Sequence, residues 1–404
     1  MQPIEVARQY YHDAYTTTFR AVISERTVAE GRPAVVLTET FFYPSSGGQP
    51  HDTGTLAGQR VVDVHVRESD GGIVHVLDAP IPAEVAEVEG RIDWGRRLDH
   101  MQQHTGQHIL SQAFIRCGAA GTIGFHLGAD YVSIDLDSTQ IDETVRAAAF
   151  SMANEAVRSD VAIRAWFPTE AELASIALRK TPEVDGALRI VAIGEFDVSA
   201  CGGTHVARTG EVGLISWLRT ERLKRGTRIS FLCGDRARAD YADKHRIAAT
   251  LSAALSCSVA ELPDAVGRLQ ADLQATRREL GRFQEEALDR EAEALRQEAT
   301  GTPTLVVRAW EGRPAEEIRG LALRTTAGPG VVALLATGGD RTQFVFARSE
   351  DTTADLKGAL DRALAVIGGG KGGGGRVVQG GGAAADSATV ARALAAAASG
   401  IGGG

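Results

Sequence analysis

"LDHMQQHTGQHILSQAF", residues 98–114, sets His100, His104 and His108 at intervals of four. On a helix, positions i, i+4 and i+8 form one stripe that advances about 40° per step. Three imidazoles on one stripe are a strange choice for a core, and two of them one turn apart can converge on a single metal ion. The same stretch marks a change of period. Upstream, residues 17–90 hold short β-branched runs, "AVVLTETFFYP" (34–44), "RVVDVHVRES" (60–69) and "GIVHVLD" (72–78), cut by the turn signals "SSGGQP", "DTG" and "DGG". They predict a small antiparallel β-barrel or sandwich.

Helical period takes over from about Arg96 to Cys117, and "YVSIDLD" (131–137) alternates as a half-buried strand should. A helix over 139–160, a strand at "VAIRAWFP" (161–168), a short helix at 170–178 and a strand in "ALRIVAIGEFD" (187–197) complete a mixed α+β domain. After "ISFLCG" the character changes. Residues 235–299 carry one proline, with Val266, Leu273, Leu280 and Ala287 at heptad position a and Leu269, Thr276 and Phe283 at d. Pro263 is expected to break this path, giving a helical hairpin or short coiled-coil linker rather than a rod. The weak seam leaves the oligomeric state open, a homodimer being the assembly it would serve. A last α/β unit begins at "TPTLVVRAW" (302–310) and closes with "GGGKGGGGRVVQGGG" (368–382).

A chain of 404 residues exceeds the ~250–300 that one core usually supports, so several units are expected. The division is 1–90, 91–234, 235–300 and 301–404. Hydrophobic content of 44% and charged content of 24% are those of an ordered globular protein. No apolar run approaches the ~18 residues of a spanning helix, and the N-terminus lacks a basic segment followed by an apolar one. The expectation is a cytoplasmic protein with no membrane partner. The net charge of −9 argues against non-specific coating of nucleic acid but allows a local basic face, as in "WLRTERLKRGTR" (217–228). Four cysteines with no CxxC pair make a disulfide framework improbable.

"DVSACGGTHV" (197–206) places Cys201 and His205 four apart around two glycines that permit a tight loop. HxxxH alone is a weak signal, but HxxxH with CxxxH supplies four ligands for one tetrahedral zinc. The glycine loop is not a P-loop, because Lys371 is followed by Gly372 rather than Ser or Thr.

"HMQQHTGQH" (100–108) together with "FDVSACGGTHV" (196–206) resembles the editing domain of alanyl-tRNA synthetases and the free-standing alanyl-tRNA editing proteins. "FFYPSSGGQPHDTG" (41–54) and "TIGFHLGADYVSIDLD" (122–137) extend the resemblance, and "GGGKGGGGRVVQGGG" is similar to the signature loop of DHHA1 domains. No segment long enough for a class II activation domain precedes the editing portion, so the expectation is a free-standing editing protein of the long form. The resemblance implies an aminoacyl-tRNA deacylase acting on tRNA(Ala) mischarged with serine, and with glycine. It implies one zinc per chain, held by His104, His108, Cys201 and His205. Such a second site can discriminate by roughly 10⁴-fold if it hydrogen-bonds the serine hydroxyl.

Four protein ligands make a closed zinc, so the ion is expected to order the site while another group serves catalysis. His126 in "GFHLG" is the titratable candidate, Thr122 a hydroxyl to sense serine, and Gln49 in "GGQP" a substrate contact. Lys371 and Arg376 are candidates for RNA contact in the DHHA1-like unit. Two other classes remain open: a zinc-dependent esterase on small substrates, and a non-catalytic tRNA-binding protein with structural zinc.

Overall fold

In the computed structural model, which describes residues 7–119, 121–179 and 188–401, the alternating β-branched runs become six strands. These are β1 (Thr18–Ala29), β2 (Arg32–Leu37), β3 (Gly54–Leu56), β4 (Gln59–Val66), β5 (Ile73–Leu77) and β6 (Glu87–Ile92). They pair antiparallel in the order β1-β2-β5-β4-β3-β6, and β6 returns to β1, closing a barrel. Leu37, Leu56, Val64, Ile73 and Leu77 are buried in its core, on strands whose successive side chains alternate between the two faces.

Helix α1 (Trp94–Arg116) begins where Asp93 caps it, accepting from the Arg96 backbone N–H at 3.2 Å. It is buried on more than one face, and its position is set by two contacts. Arg97 and Asp52 form an ion pair with both side chains fully buried, and the Arg97 guanidinium also donates to the carbonyls of Ala14 (2.7 Å) and Phe41 (2.6 Å). Gly106 lets the helix approach β-structure so closely that a Cβ there would overlap Cys233 Sγ.

Strands β7 (Thr122–Leu127) and β8 (Val132–Leu136) follow, then α2 (Glu143–Arg158), β9 (Ile163–Trp166), β10 (Ile190–Ile193) and β11 (Asp197–Ala200). Strands β12 (Ile215–Arg222) and β13 (Thr227–Cys233) complete a four-stranded sheet in the order β12-β13-β8-β7, while β9-β10-β11 form a second, three-stranded sheet. Met101, Ile109, Leu110 and Phe114 of α1 pack with Ala149 and Ala153 of α2 and with Ile134, Ile229 and Phe231 of the sheet. Helix α3 (Gly234–Ala254) then leaves β13. The chain divides into two compact units, Met1–Leu251 and Ser252–Gly404.

In the second unit, α4 (Leu262–Glu298) is a single helix of 37 residues. Pro263 does not break it, contrary to the expected interruption, because it sits in the first turn, where its missing N–H would have had no partner. Ala292 and Leu295 at its far end are buried, whereas the seam residues Val266, Leu269, Leu273, Leu280 and Phe283 are exposed. A five-stranded sheet follows, from β14 (Thr304–Glu311), α5 (Ala315–Thr325), β15 (Val331–Gly338), β16 (Thr342–Arg348), α6 (Leu356–Val366), β17 (Lys371–Gly374), β18 (Val377–Gly382) and α7 (Ser387–Ala398). Its order is β14-β15-β16-β18-β17, with β14 and β15 parallel. The glycine loop of the sequence is thus the β17–β18 hairpin. Among the described residues no helix is long and apolar enough to cross a membrane.

Candidate metal centre

Four side chains from two distant segments meet beside α1. His104 and His108 lie one turn apart on that helix, and the glycine-permitted turn after β11 swings Cys201 and His205 toward them. Their four ligand atoms all lie within 4.8 Å of one another. Cys201 Sγ is 3.3 Å from His104 Nε2 and 3.3 Å from His205 Nε2. A tetrahedral zinc with bonds of about 2.0 Å to nitrogen and 2.3 Å to sulfur would have N···S edges of about 3.5 Å. The donor set therefore fits one ion of that size.

Each imidazole is aimed by a partner on its other nitrogen. His104 Nδ1–H donates to Gln49 Oε1 at 2.8 Å, His108 Nδ1 meets Asp197 Oδ2 at 3.2 Å, and His205 Nδ1 meets Thr105 Oγ1 at 3.1 Å. With the proton held on Nδ1, each Nε2 lone pair is left for a metal, the arrangement that outer hydrogen bonds give to ligating histidines. The loop itself is held from behind: Arg189 donates to the carbonyls of Cys201 (3.0 Å) and Gly203 (2.9 Å). A Cβ at Gly203 would overlap the His104 ring and lie 2.9 Å from Gln49 Oε1, so glycine there is a condition of the geometry.

The electrostatics agree with a ligand set. Burial alone would raise the Cys201 thiol, but the surrounding His104, His205 and His108 outweigh it, and its pKa falls well below the ordinary value. Burial pushes His205 down to about 3, keeping it neutral. Burial would also lower His108, yet Cys201 and Asp197 leave it raised. A thiolate among imidazoles is a donor set suited to a soft or borderline cation.

His104, His108 and Cys201 line a cleft of about 480 Å³ whose walls include Thr122, Phe125, Gln107 and Arg179. Phe125 stacks on the His104 ring at 5.3 Å.

Residues 188–229, which include Cys201 and His205, match the family described as the threonyl and alanyl tRNA synthetase second additional domain. The chain is 36% identical over 239 residues to the alanyl-tRNA editing protein AlaX-L of Pyrococcus horikoshii, covering 57% of this chain and 59% of that protein. The chain is also 35% identical to the alanine–tRNA ligase of Pyrococcus abyssi, covering 70% of this chain and 32% of the ligase. For the ligase of Pyrobaculum neutrophilum the identity is 34%, over 82% of this chain and 38% of the ligase. The chain thus spans from about a third to three fifths of these relatives. The C-Ala domain of Aquifex aeolicus alanyl-tRNA synthetase is 26% identical over 25% of this chain and 92% of that domain, with a TM-score of 0.23.

The other expected residues fall differently. Thr122 reaches the cleft, its hydroxyl donating to Ser111 Oγ at 2.7 Å, where Gln107 Nε2 also donates at 2.9 Å. Gln49 does not face substrate: it is 1% exposed, and its amide is spent on His104, the Thr204 N–H (3.1 Å) and the Thr204 hydroxyl (2.8 Å). His126 is exposed and off the cleft. The pairing of β7 with β8 slips at Ile123, between Thr122↔Leu136 and Gly124↔Asp135. That extra residue puts Thr122 and Phe125 on the same inner face and sends His126 to the other. His100 is buried at 3% exposure with Nδ1 unpartnered, outside the ligand cluster. In the second unit, Lys371 is exposed and Arg376 pairs with Glu350. Sequence reasoning missed Thr105, Asp197 and Arg179. Asp197 and Thr105 lie inside the quoted motifs, but nothing in their spacing marks them as partners of the histidines.

Proposed function

We propose that the protein is a trans-editing hydrolase that deacylates alanine tRNA mischarged with serine or glycine, working in the cytoplasm. One observation carries this reading. The four candidate ligands His104, His108, Cys201 and His205 converge, three of them lining a cleft, in a chain similar to an alanyl-tRNA editing protein. The ion is one zinc per chain, favoured by one thiolate and three imidazoles in tetrahedral reach. Zinc, when bound, orders the four ligands and places positive charge at the cleft floor.

The chain's own residues supply the discrimination. The Gln107–Ser111–Thr122 chain of hydrogen bonds is a polar wall that accommodates the hydroxyl of a seryl group and has no use for the methyl of an alanyl group. A site built to bond a hydroxyl rejects the analogue lacking it strongly, because its polar groups are then left unpaired. Arg179, anchored through Nη1 to the His108 carbonyl at 3.0 Å and paired with Asp197 at 3.4 Å, keeps its other N–H groups as donors for the polarised ester oxygen. The segments 1–90, 91–234, 235–300 and 301–404 act in this reading as barrel, editing domain, helical linker and DHHA1-like unit. Lys371 and Arg376 contact the tRNA body in the last of these, and the exposed α4 seam serves a homodimer.

The test is a deacylation assay on tRNA(Ala) charged with serine, glycine and alanine. The seryl ester should be cleaved much faster than the alanyl ester, and the rate on the glycyl ester, which has no side-chain hydroxyl, shows whether the polar wall alone sets the preference. Equal rates on all three would point to an unselective esterase, and tight binding without hydrolysis to a non-catalytic tRNA-binding protein.

A further inference from the structure

The β12–β13 hairpin carries a cluster of cations that the metal centre does not use. Three of the positive side chains around it are already engaged. Arg146 lies over the Trp217 ring at 4.0 Å, Arg219 lies over Tyr131 at 4.7 Å and pairs with Glu221, and Arg228 pairs with Asp135. Three are not: Arg222, Lys224 and Arg225 are exposed, and among the described residues none of them makes an ion pair. They crowd the tip of the hairpin, which is closed by Leu223 N–H donating to the Gly226 carbonyl at 3.0 Å. Asp137, next to Leu136, adds one exposed acid at this end of the sheet, leaving a positive balance.

The strand register fixes where that tip lies. Thr227 is opposite Leu136, and Leu136 is opposite Thr122, so one row across the sheet joins the base of the tip to the cleft wall. Two strand spacings make that row about 10 Å long. The approach is closer still at the tip, because a Cβ at Gly226 would lie 3.7 Å from Ile123 Cδ1, and Ile123 lines the cleft. The cluster of unpaired cations therefore stands at the mouth of the cleft.

We infer that the β12–β13 hairpin is the phosphate grip of the cleft, with Lys224 and Arg225 holding the backbone of an RNA strand whose 3′ end enters toward the metal centre. The inference rests on the proposed reading of the cleft as an aminoacyl-ester site. RNA is the partner that fits, because a narrow cleft takes only a strand end, and the phosphates that follow that end must pass the adjoining rim. Paired arginines are already neutralised, whereas these three are free to neutralise phosphates and so release the cations condensed on the RNA.

The experiment uses the full chain and a fluorescent, deacylated acceptor-stem minihelix. Binding is measured by anisotropy across a salt series for the parent, for Lys224→Ala/Arg225→Ala, and for Arg32→Ala/Arg60→Ala, which removes the same charge from exposed barrel strands. The hairpin variant should bind roughly tenfold more weakly at low salt, with the slope of log K against log salt reduced by about 1.4, two single-strand contacts. The barrel variant should match the parent. Hydrolysis of seryl-adenosine, which has no phosphate, should be unchanged in the hairpin variant. Unchanged minihelix affinity and slope in the hairpin variant, or equal losses in both variants, overturns the grip. Failure of the editing reading looks different: hairpin-dependent binding with no ester cleavage by any of the proteins.

Discussion

Replacing Gln49 separates positioning from contact. Its side chain sits 1% exposed and makes three hydrogen bonds: to His104 Nδ1 at 2.8 Å, to the Thr204 N–H at 3.1 Å and to the Thr204 hydroxyl at 2.8 Å. Gln49→Leu keeps the volume and removes all three, stranding the His104 Nδ1–H and the Thr204 N–H in the interior. Each stranded donor costs about 1–3 kcal/mol. With its Nδ1 partner gone, His104 loses the bond that presents Nε2, and loss of such an outer partner lowers metal affinity by about 10–100-fold. Gln49→Glu has the same shape. Its carboxylate still accepts from His104 and from the Thr204 N–H, and it accepts from the Thr204 hydroxyl in place of donating to it. Zinc affinity, measured by competition with a chromogenic chelator, should therefore fall at least tenfold in Gln49→Leu and stay within about threefold of the parent in Gln49→Glu. The melting temperature in excess chelator should drop in Gln49→Leu as well. Parent-like zinc affinity in Gln49→Leu, or an equal fall in both variants, would refute the positioning role.

Cys201→Ala should abolish stoichiometric metal binding by elemental analysis, whereas His100→Ala should keep it; the reverse pattern would overturn the ligand set. Gly203→Ala, whose methyl would overlap the His104 ring, should lose metal while circular dichroism stays native, whereas Gly106→Ala should lower the melting temperature through its clash with Cys233. His126→Ala should leave ester hydrolysis within twofold of the parent, since the side chain is off the cleft; a large loss would mean that the β7 register is wrong. Burial lowers His75 to about 4 in the folded barrel, where it bonds Thr40 at 2.8 Å and the Val35 carbonyl at 3.2 Å. The unfolded chain thus binds the extra proton first, so stability is full above about pH 6.5 and falls as pH drops toward 4, by about 3 kcal/mol. In chelator, His75→Gln should show a flatter acid limb in melting temperature against pH, and a parallel limb would count against the assignment.

The His/Cys cluster was legible because the spacing of its members is local. HxxxH is one helical turn and CGGTH is one tight loop, and each pair can be read without knowing what lies across from it. Gln49 was misread for the opposite reason. Its partners are 55 and 155 residues away, and a glutamine in a glycine-rich turn looks exposed until α1 and the loop carrying Thr204 pack against it. The face of His126 depends on one extra residue at Ile123, which alternation counted along the strand does not reveal. Pro263 was taken as a break because a proline inside a helix is one, but at the first turn it is a start. The barrel runs were readable from alternation, while the pairing order that closes them depends on partners no local pattern names.

The span of chain between the two halves of the metal centre has a thermodynamic consequence of its own. His104 and Cys201 are 97 residues apart, so an ion bridging them closes a loop through α2 and five strands. A covalent cross-link around a loop of about 100 residues removes roughly 4–5 kcal/mol of chain entropy from the unfolded state, and a tight ion acts on the same loop reversibly. Each tenfold rise in free ion above its dissociation constant then adds about 1.4 kcal/mol to the first unit. The melting temperature of that unit becomes a gauge of metal supply, and a starved chain would lose its fold by the same route that it loses its chemistry.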